Sequence, residues 1–331
     1  MNLLIQLVIF IGTCLYIYHQ VFNKTDLPGL LNTLEENLLN PRFERGLLLV
    51  FFMMLVNWGL EAYKWKYLIG KVEKVSFFKA FQAVLTGISI SSFIPNRVGE
   101  FFGRIFILKT ASRIESILIT VVGSISQLLI TVILGSVALL VFIPLYLSGV
   151  VFSHGYLYYC LFMLVLTLDF LLLALFFQLS FLATLKERIL RNGLKRFRKF
   201  FRVFAFYHNR EMVTVMLLSL TRYLVFSTQF YLLLLLFDVR VPYLNALVLI
   251  ALIYLIMAII PTIALTELGI RGSVALYIFG LYFGQVFPAT GINNVGIFAA
   301  STLLWMINLG IPAVVGIIFV FRLRFFRKNI V

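Results

Sequence analysis

The stretch PNRVGEFFGR, from Pro95 to Arg104, places helix-breaking residues and three charges inside a strongly apolar chain. A charge at the centre of a bilayer costs roughly 2.5–3.5 kcal/mol on insertion scales, so it persists only beside a partner or in a wet cavity. A second stretch, from Pro261 to Arg271, uses similar residue types in apolar surroundings. These two interruptions are therefore the main guide to both the fold and the function.

The composition predicts an all-α integral membrane protein. Hydrophobic residues make up 62% of the 331 residues and charged residues only 12%, against about 25% charged in soluble domains. Apolar runs near the length of a membrane-spanning helix recur along the chain. We expect one polytopic domain over residues 1–331, with about six full transmembrane helices at 2–22, 46–63, 115–141, 156–178, 211–236 and 292–320. The first run lacks a basic start and a small-residue cleavage site, so we expect it to be retained as a helix.

The charge of the chain is +15, which favours anionic partners. Most Lys and Arg residues lie in loops beside the apolar runs, as the positive-inside rule predicts, so nucleic acid is not an expected partner. Cys14 and Cys160 lie within apolar segments, and the Asp and His residues are scattered. We therefore expect neither a metal site nor a cofactor.

The distribution of basic residues predicts the topology. The loop at 64–79 carries five Lys, and the loop at 186–210 carries nine Lys and Arg, whereas 142–155 and 284–291 carry none. Basic loops face the cytoplasm. The sequence thus predicts a multi-pass protein of the cell membrane with both termini, and the basic loop 186–210, in the cytoplasm.

This topology requires two helical hairpins. Residues 80–108 must enter and leave from the inner face, with a tip near Pro95, and residues 244–283 must enter from the outer face, with a tip between Pro261 and Glu267. The arms of the first hairpin would be about 22 and 18 Å long, short against a core of about 30 Å. The arms of the second are longer, so a full crossing is the alternative there.

The two halves of the chain then match in opposite orientation. We predict a first half-repeat at about 46–141 and a second at about 211–320, each a span, a re-entrant hairpin and a span. Inverted repeats with broken helices at corresponding places are typical of secondary transporters, whose site lies between the repeats. The alternative is that Pro and Gly merely kink ordinary transmembrane helices.

The first interruption has the chemistry of an anion site. Asn96 is a candidate N-cap for a helix on which Arg97, Glu100 and Arg104 share one face. Glu100 can pair with either arginine, and Gly99 allows a close approach by another group. Such a face keeps an excess of positive charge.

The second interruption has similar residue types at an expected helix start. Thr266 is predicted to cap an arm that starts at Glu267, and Gly269 and Arg271 follow on that arm. Arg222 lies near mid-depth of its span and is added to the predicted head-group site. Converging arginines and helix N-termini suit an anion, and a phosphate above all, because the guanidinium fork binds two of its oxygens.

Other polar residues in the apolar spans are predicted to have structural roles. Glu61 and Lys64 are expected to form a structural pair near the membrane interface. Gln127, Asp169 and Asn308 are expected to form hydrogen bonds between helices.

The stretch from Ile94 to Arg104 resembles the P-x-R-x-G-E-type motif of the lysylphosphatidylglycerol synthase transmembrane-region family, also called flippase-like. The segment from Asn57 to Trp65 resembles the approach to that motif in small members. Residues 261–272 resemble the second motif, P…G-G-L-G-x-x-E, except that here the acid precedes the glycine. The resemblance covers most of the chain and implies a membrane module that moves, or helps to move, a lipid or lipid-linked sugar between leaflets. Some members also carry a soluble transferase domain, which we do not expect here.

The leading hypothesis is therefore a flippase-like transporter, not an enzyme, for an anionic phospholipid or lipid-linked sugar. Arg97, Arg104 and Arg271 would hold the phosphate, while Glu100 and Glu267 would orient them and could carry a coupled proton. One alternative is a membrane-embedded lipid-modifying enzyme, for which Glu100 is the strongest candidate base. Another is a non-catalytic scaffold for an envelope-lipid enzyme.

Overall fold

A computed structural model describes residues 40–91, 99–108, 110–146, 155–189, 207–261, 264–286 and 294–320. Within these residues the regular secondary structure is helical throughout, which confirms the predicted all-α membrane fold. The first half holds α1 (Pro41–Ile69), α2 (Phe77–Ser91), α3 (Gly99–Ile105) and α4 (Arg113–Tyr146), and α5 (Gly155–Ile189) follows. The second half holds α6 (Asn209–Leu236), α7 (Tyr243–Ile259), α8 (Ala264–Val286), α9 (Asn294–Trp305), a π-helix (Met306–Gly310) and α10 (Ile311–Val320).

Five of the helical segments are long and apolar enough to cross a membrane, and they match five predicted spans. They are Pro41–Ile69, Arg113–Tyr146, Tyr156–Gln178, Asn209–Leu236 and Asn294–Phe319. Three of them, in α1, α4 and α6, begin a few residues before the predicted bounds, where polar residues form the first turn. In α1, Asn40 caps the helix by accepting from the Arg42 amide at 2.9 Å, and Pro41 occupies the first turn. The predicted span at 2–22 and most of the basic loop lie outside the described residues.

The first hairpin is present as two packed antiparallel arms, α2 and α3. A Cβ atom on Gly103 would lie 2.5 Å from Gly87 Cα, and one on Gly99 would lie 2.6 Å from Ser91 Cα. Glycine is required at both positions because the two backbones touch there. The predicted tip residues Pro95, Asn96 and Arg97 lie outside the described residues.

The second hairpin consists of α7 and α8. Asn245, near the start of α7, donates from Nδ2 to the hydroxyl of Tyr282 at 3.3 Å, near the end of α8. Pro261 follows α7 at the turn, as predicted. Because α8 begins at Ala264, Thr266 lies within its first turn, and the prediction that Thr266 is the N-cap is wrong. At 1.5 Å per residue, α8 is about 34 Å long, which matches a bilayer core in length, but it is not among the five segments that are also apolar enough to cross.

Helices α1 and α6, the first spans of the two halves, pack against each other in opposite directions. Near one end, the ring of Phe43 meets that of Phe237 at a centroid distance of 5.5 Å. Toward the other end, Lys64 Nζ donates to Ser219 Oγ at 3.2 Å. The two halves therefore meet along an antiparallel pair of helices.

A reciprocal pair of glycine contacts joins the hairpins to the opposite halves. On α4, a Cβ atom at Gly135 would lie 2.5 Å from Leu255 Cβ of α7. On α10, a Cβ atom at Gly316 would collide with the Leu85 carbonyl and the Ser89 hydroxyl of α2. In each half the last helix thus receives the first hairpin arm of the other half, and glycine permits the close approach.

Candidate functional site

A cavity of about 780 Å³ lies between the two halves of the protein. Its wall is apolar over much of its area, with aromatic side chains from α6 and α7. Its charged and amide side chains come from α1, α3, α4, α6, α8 and the π-helix: Asn57, Glu61, Lys64, Glu100, Gln127, Arg222, Glu267, Arg271 and Asn308.

The carboxylate of Glu61 is the centre of a buried ionic cluster. It lies 2.9 Å from Lys64 Nζ, 3.0 Å from Arg104 and 3.1 Å from Arg222. These three cations belong to α1, α3 and α6, so one acidic side chain ties three helices together. A buried carboxylate needs such partners because the protein interior screens charge poorly.

This cluster confirms the predicted ion pair between Glu61 and Lys64. The place of the pair near the membrane interface stays a prediction. Both side chains are almost fully buried, and both border the cavity. Lys64 also donates to the Gly123 carbonyl at 3.1 Å, which fixes it in the wall.

Arg104 lies behind the cavity wall. It is 1% exposed and donates to Glu61 Oε1 and to Glu100 Oε2, each at 3.0 Å. The predicted pairing of Glu100 with Arg104 is therefore present. The predicted direct contact between Arg104 and a head group does not fit this position, since Arg104 holds the two carboxylates and does not line the cavity.

Arg222 faces the cavity and is held on several sides. Its Nε donates to Asn57 Oδ1 at 3.0 Å, and its terminal nitrogen donates to Glu61 at 3.1 Å and to Gln127 Oε1 at 3.3 Å. The guanidinium also lies over the ring of Trp58, at 4.9 Å from the centroid. These contacts fix its plane while 18% of the side chain stays exposed.

The π-helix supplies the residue that holds the partners of Arg222. Asn57 donates from Nδ2 to Asn308 Oδ1 at 3.1 Å, and the Trp58 indole donates to the Asn308 carbonyl at 3.1 Å. Short π segments inside α-helices occur often at functional sites. Sequence reasoning did not identify this role, because the only available signal was a single amide in an apolar span.

The remaining polar residues of the spans make the predicted hydrogen bonds between helices. Gln127 of α4 contacts Arg222 of α6, and Asn308 contacts α1. Asp169 of α5 accepts from the Ser136 hydroxyl of α4 at 2.6 Å.

The second interruption reaches the same cavity. Arg271 forms an ion pair with Glu267 one helical turn earlier on α8, and both line the cavity. The guanidinium also lies 5.8 Å from the centroid of Phe226. Arg271 Nε is buried and has no hydrogen-bond partner among the described residues. Of the residues predicted to converge, Glu100, Glu267 and Arg271 line the same cavity, Arg104 lies behind its wall, and Arg97 lies outside the described residues.

The predicted tip residues have different positions. Pro261 borders the cavity and is exposed, whereas Gly269 is buried within α8 and Gly99 packs on α2. Among the described residues, no group of three or more His, Cys, Asp and Glu side chains is placed to hold a metal ion.

A family model described as the lysylphosphatidylglycerol synthase TM region matches residues 3–327. No curated protein matches the chain.

Proposed function

Since this chain belongs to the lysylphosphatidylglycerol synthase TM-region family, we propose that it is a flippase-like transporter of an anionic lipid. The observation that carries the proposal is the pair of arginines, Arg222 and Arg271, which face one membrane-embedded cavity from two helices of the second half. The substrate class is a phospholipid or a lipid-linked sugar with a phosphate in its head group.

The charge of the cluster favours an anionic guest. Its described residues comprise four cations and three carboxylates, which leaves one positive charge in excess: Lys64, Arg104, Arg222 and Arg271 against Glu61, Glu100 and Glu267. A phosphodiester would balance that charge. The planar guanidinium fork also matches phosphate oxygens better than an ammonium does.

The packing of the two halves supports an inverted repeat with the site at its interface. The antiparallel contact of α1 with α6 is what a two-fold axis in the membrane plane would produce. The contacts at Gly135 and Gly316 are consistent with the same axis, because exchanging the two halves would convert one contact into the other. Transport would then occur as one half rocks against the other around the cavity.

The proposal also includes the orientation of the protein in the membrane and a proton coupled to transport. The charge bias of the loops favours the cell membrane with both termini in the cytoplasm. Glu100 and Glu267 each contact an arginine, so that binding of a phosphate could release a carboxylate to accept a proton.

Lipid exchange in liposomes tests the proposal. Vesicles that contain the purified protein and a labelled anionic phospholipid are expected to exchange the label between leaflets. We expect Arg222→Gln and Arg271→Gln to abolish most of this exchange, because each removes a cavity cation while keeping a polar side chain. Arg240→Gln is the matched control, since Arg240 is 86% exposed at its side chain and pairs only with Asp238 among the described residues.

The same preparation separates the alternatives. Unchanged exchange in both cavity variants would refute the site. Head-group turnover by the pure protein would favour a lipid-modifying enzyme. Absence of exchange, with capture of an envelope-lipid enzyme by the intact protein, would favour a scaffold.

A further inference from the structure

The cavity has an apolar opening, here called the gap, whose side chains come from α4 and from the C-terminal end of α7. Two of the cavity-lining side chains at this gap are strongly exposed, Leu128 at 49% and Ile259 at 74%. Ala258 and Pro261 beside them are exposed as well. The cavity is therefore continuous with the outer surface of the helix bundle.

The surface at this gap faces lipid rather than water. Val121, Ile125 and Leu128 follow helical spacing on α4, and all three line the cavity. They lie within the 34-residue membrane helix α4, near Gln127, which contacts Arg222 deep in its own span. Exposed apolar side chains at that depth meet hydrocarbon, where a water-soluble guest has no route of entry.

Two residues of the cavity wall, Arg271 and Trp305, carry buried hydrogen-bond donors that have no partner among the described residues. Arg271 is only 7% exposed, and its Nε has no partner among the described residues. The indole Nε1 of Trp305, another residue of the wall, is also buried, and the described part of the chain offers it no partner. Both groups are donors only. Since buried donors are normally paired, these two indicate a guest that brings acceptor oxygens.

We propose that the cavity binds a lipid in one particular pose. Arg271 Nε and Trp305 Nε1 are closed to solvent in this structure, so the two side chains turn toward the guest as it binds. Phosphate or ester oxygens of the head group then accept from both donors, and an acyl chain leaves sideways between Leu128 and Ile259. This inference rests on the proposed function and specifies how the substrate enters. A polar wall joined to a lipid-facing gap fits an amphiphile, whereas a free phosphate would leave the gap unfilled.

Fluorescence quenching by brominated acyl chains tests this pose. In a Cys14→Ser/Cys160→Ser background, Leu128→Cys and Ile259→Cys each receive a bimane label. Phe170→Cys on α5 is the matched control, because Phe170 is 73% exposed and does not line the cavity. The vesicles are phosphatidylcholine with a minor fraction of either brominated phosphatidylglycerol or brominated phosphatidylcholine.

The expected result is stronger quenching by the anionic brominated lipid at both gap positions and equal quenching by the two lipids at Phe170→Cys. Adding Arg271→Gln or Trp305→Phe should remove the excess at the gap without changing the control. If the anionic lipid gives no excess at the gap while exchange still depends on Arg271, the pose is wrong and the proposed function stands. If exchange itself is absent, the proposed function fails, and the pose fails with it.

Discussion

Arg104 and Arg222 bind the two oxygens of a single carboxylate, that of Glu61, at 3.0 and 3.1 Å. The two arginines are far apart in the chain and come from different halves, on α3 and α6. One buried acid therefore connects the first hairpin to the first span of the second half. The connection lies directly at the cavity, so the stability of the bundle and the geometry of the site depend on the same residue.

The first prediction concerns this acid. Glu61→Gln keeps the size of the side chain but leaves two buried cations, Lys64 and Arg104, and the partly exposed Arg222 without their shared counter-charge. Removing one partner of a buried ion pair typically costs roughly 3–5 kcal/mol. We expect a clear fall in the thermal unfolding midpoint of the detergent-solubilised protein. Glu44→Gln on the same helix should have little effect, since Glu44 is exposed.

A second substitution distinguishes loss of charge balance from loss of shape. Lys64→Met added to Glu61→Gln removes one of the cations that have lost their counter-charge and keeps an unbranched side chain of similar length. We expect the double variant to unfold at a higher temperature than Glu61→Gln alone. If the second change lowers the midpoint further, uncompensated charge is not the cause of the first effect.

The next prediction concerns the π-helix. Asn308→Leu removes the acceptor for Asn57 but keeps the carbonyl that accepts from Trp58. A lost hydrogen bond typically costs about 0.5–1.5 kcal/mol, with an added penalty for a buried donor left unpaired. Arg222 should become less well oriented, so lipid exchange should fall more than stability does. Asn294→Leu at the exposed start of α9 is the control for a general effect of the substitution. A parallel loss of folding and exchange would contradict an orienting role.

Some features of this structure follow from local sequence patterns, whereas others depend on packing between residues far apart in the chain. The first hairpin could be predicted because basic loops flank residues 80–108 on both sides. The ion pairs of Glu100 and Glu267 could also be predicted, because each arginine partner lies one helical turn away. The contact between Glu61 and Arg222 could not be predicted, since no pattern in a single sequence links positions 161 residues apart. The π-helix was also missed, because its five residues read as ordinary apolar helix.

A further prediction addresses the contacts between halves. Gly316→Ala places a methyl group against the backbone carbonyl of Leu85, which cannot swing away as a side-chain end could. Overpacking of this kind usually costs about 1–3 kcal/mol. The unfolding midpoint should fall for Gly316→Ala and for Gly135→Ala. Gly280→Ala should be neutral or stabilising, since a methyl group there meets nothing within 4 Å and alanine favours helix. Equal midpoints for all three variants would show that the glycine contacts do not restrict packing.

The last prediction separates the charge of Arg222 from its shape. Arg222→Lys keeps the positive charge, but a single ammonium cannot reach Asn57, Glu61 and Gln127 together as the guanidinium does. A lysine also makes fewer hydrogen bonds to a phosphate than the guanidinium fork does. Since a hydrogen bond to a charged group contributes about 1.5–3 kcal/mol, loss of one bond to the bound phosphate predicts a fall in lipid exchange of about tenfold or more. Arg240→Lys, at an exposed ion pair outside the cavity, should exchange lipid at the unaltered rate. If Arg222→Lys transports normally while Arg222→Gln does not, positive charge alone is sufficient at this position, and the planar fork has no part in recognising the substrate.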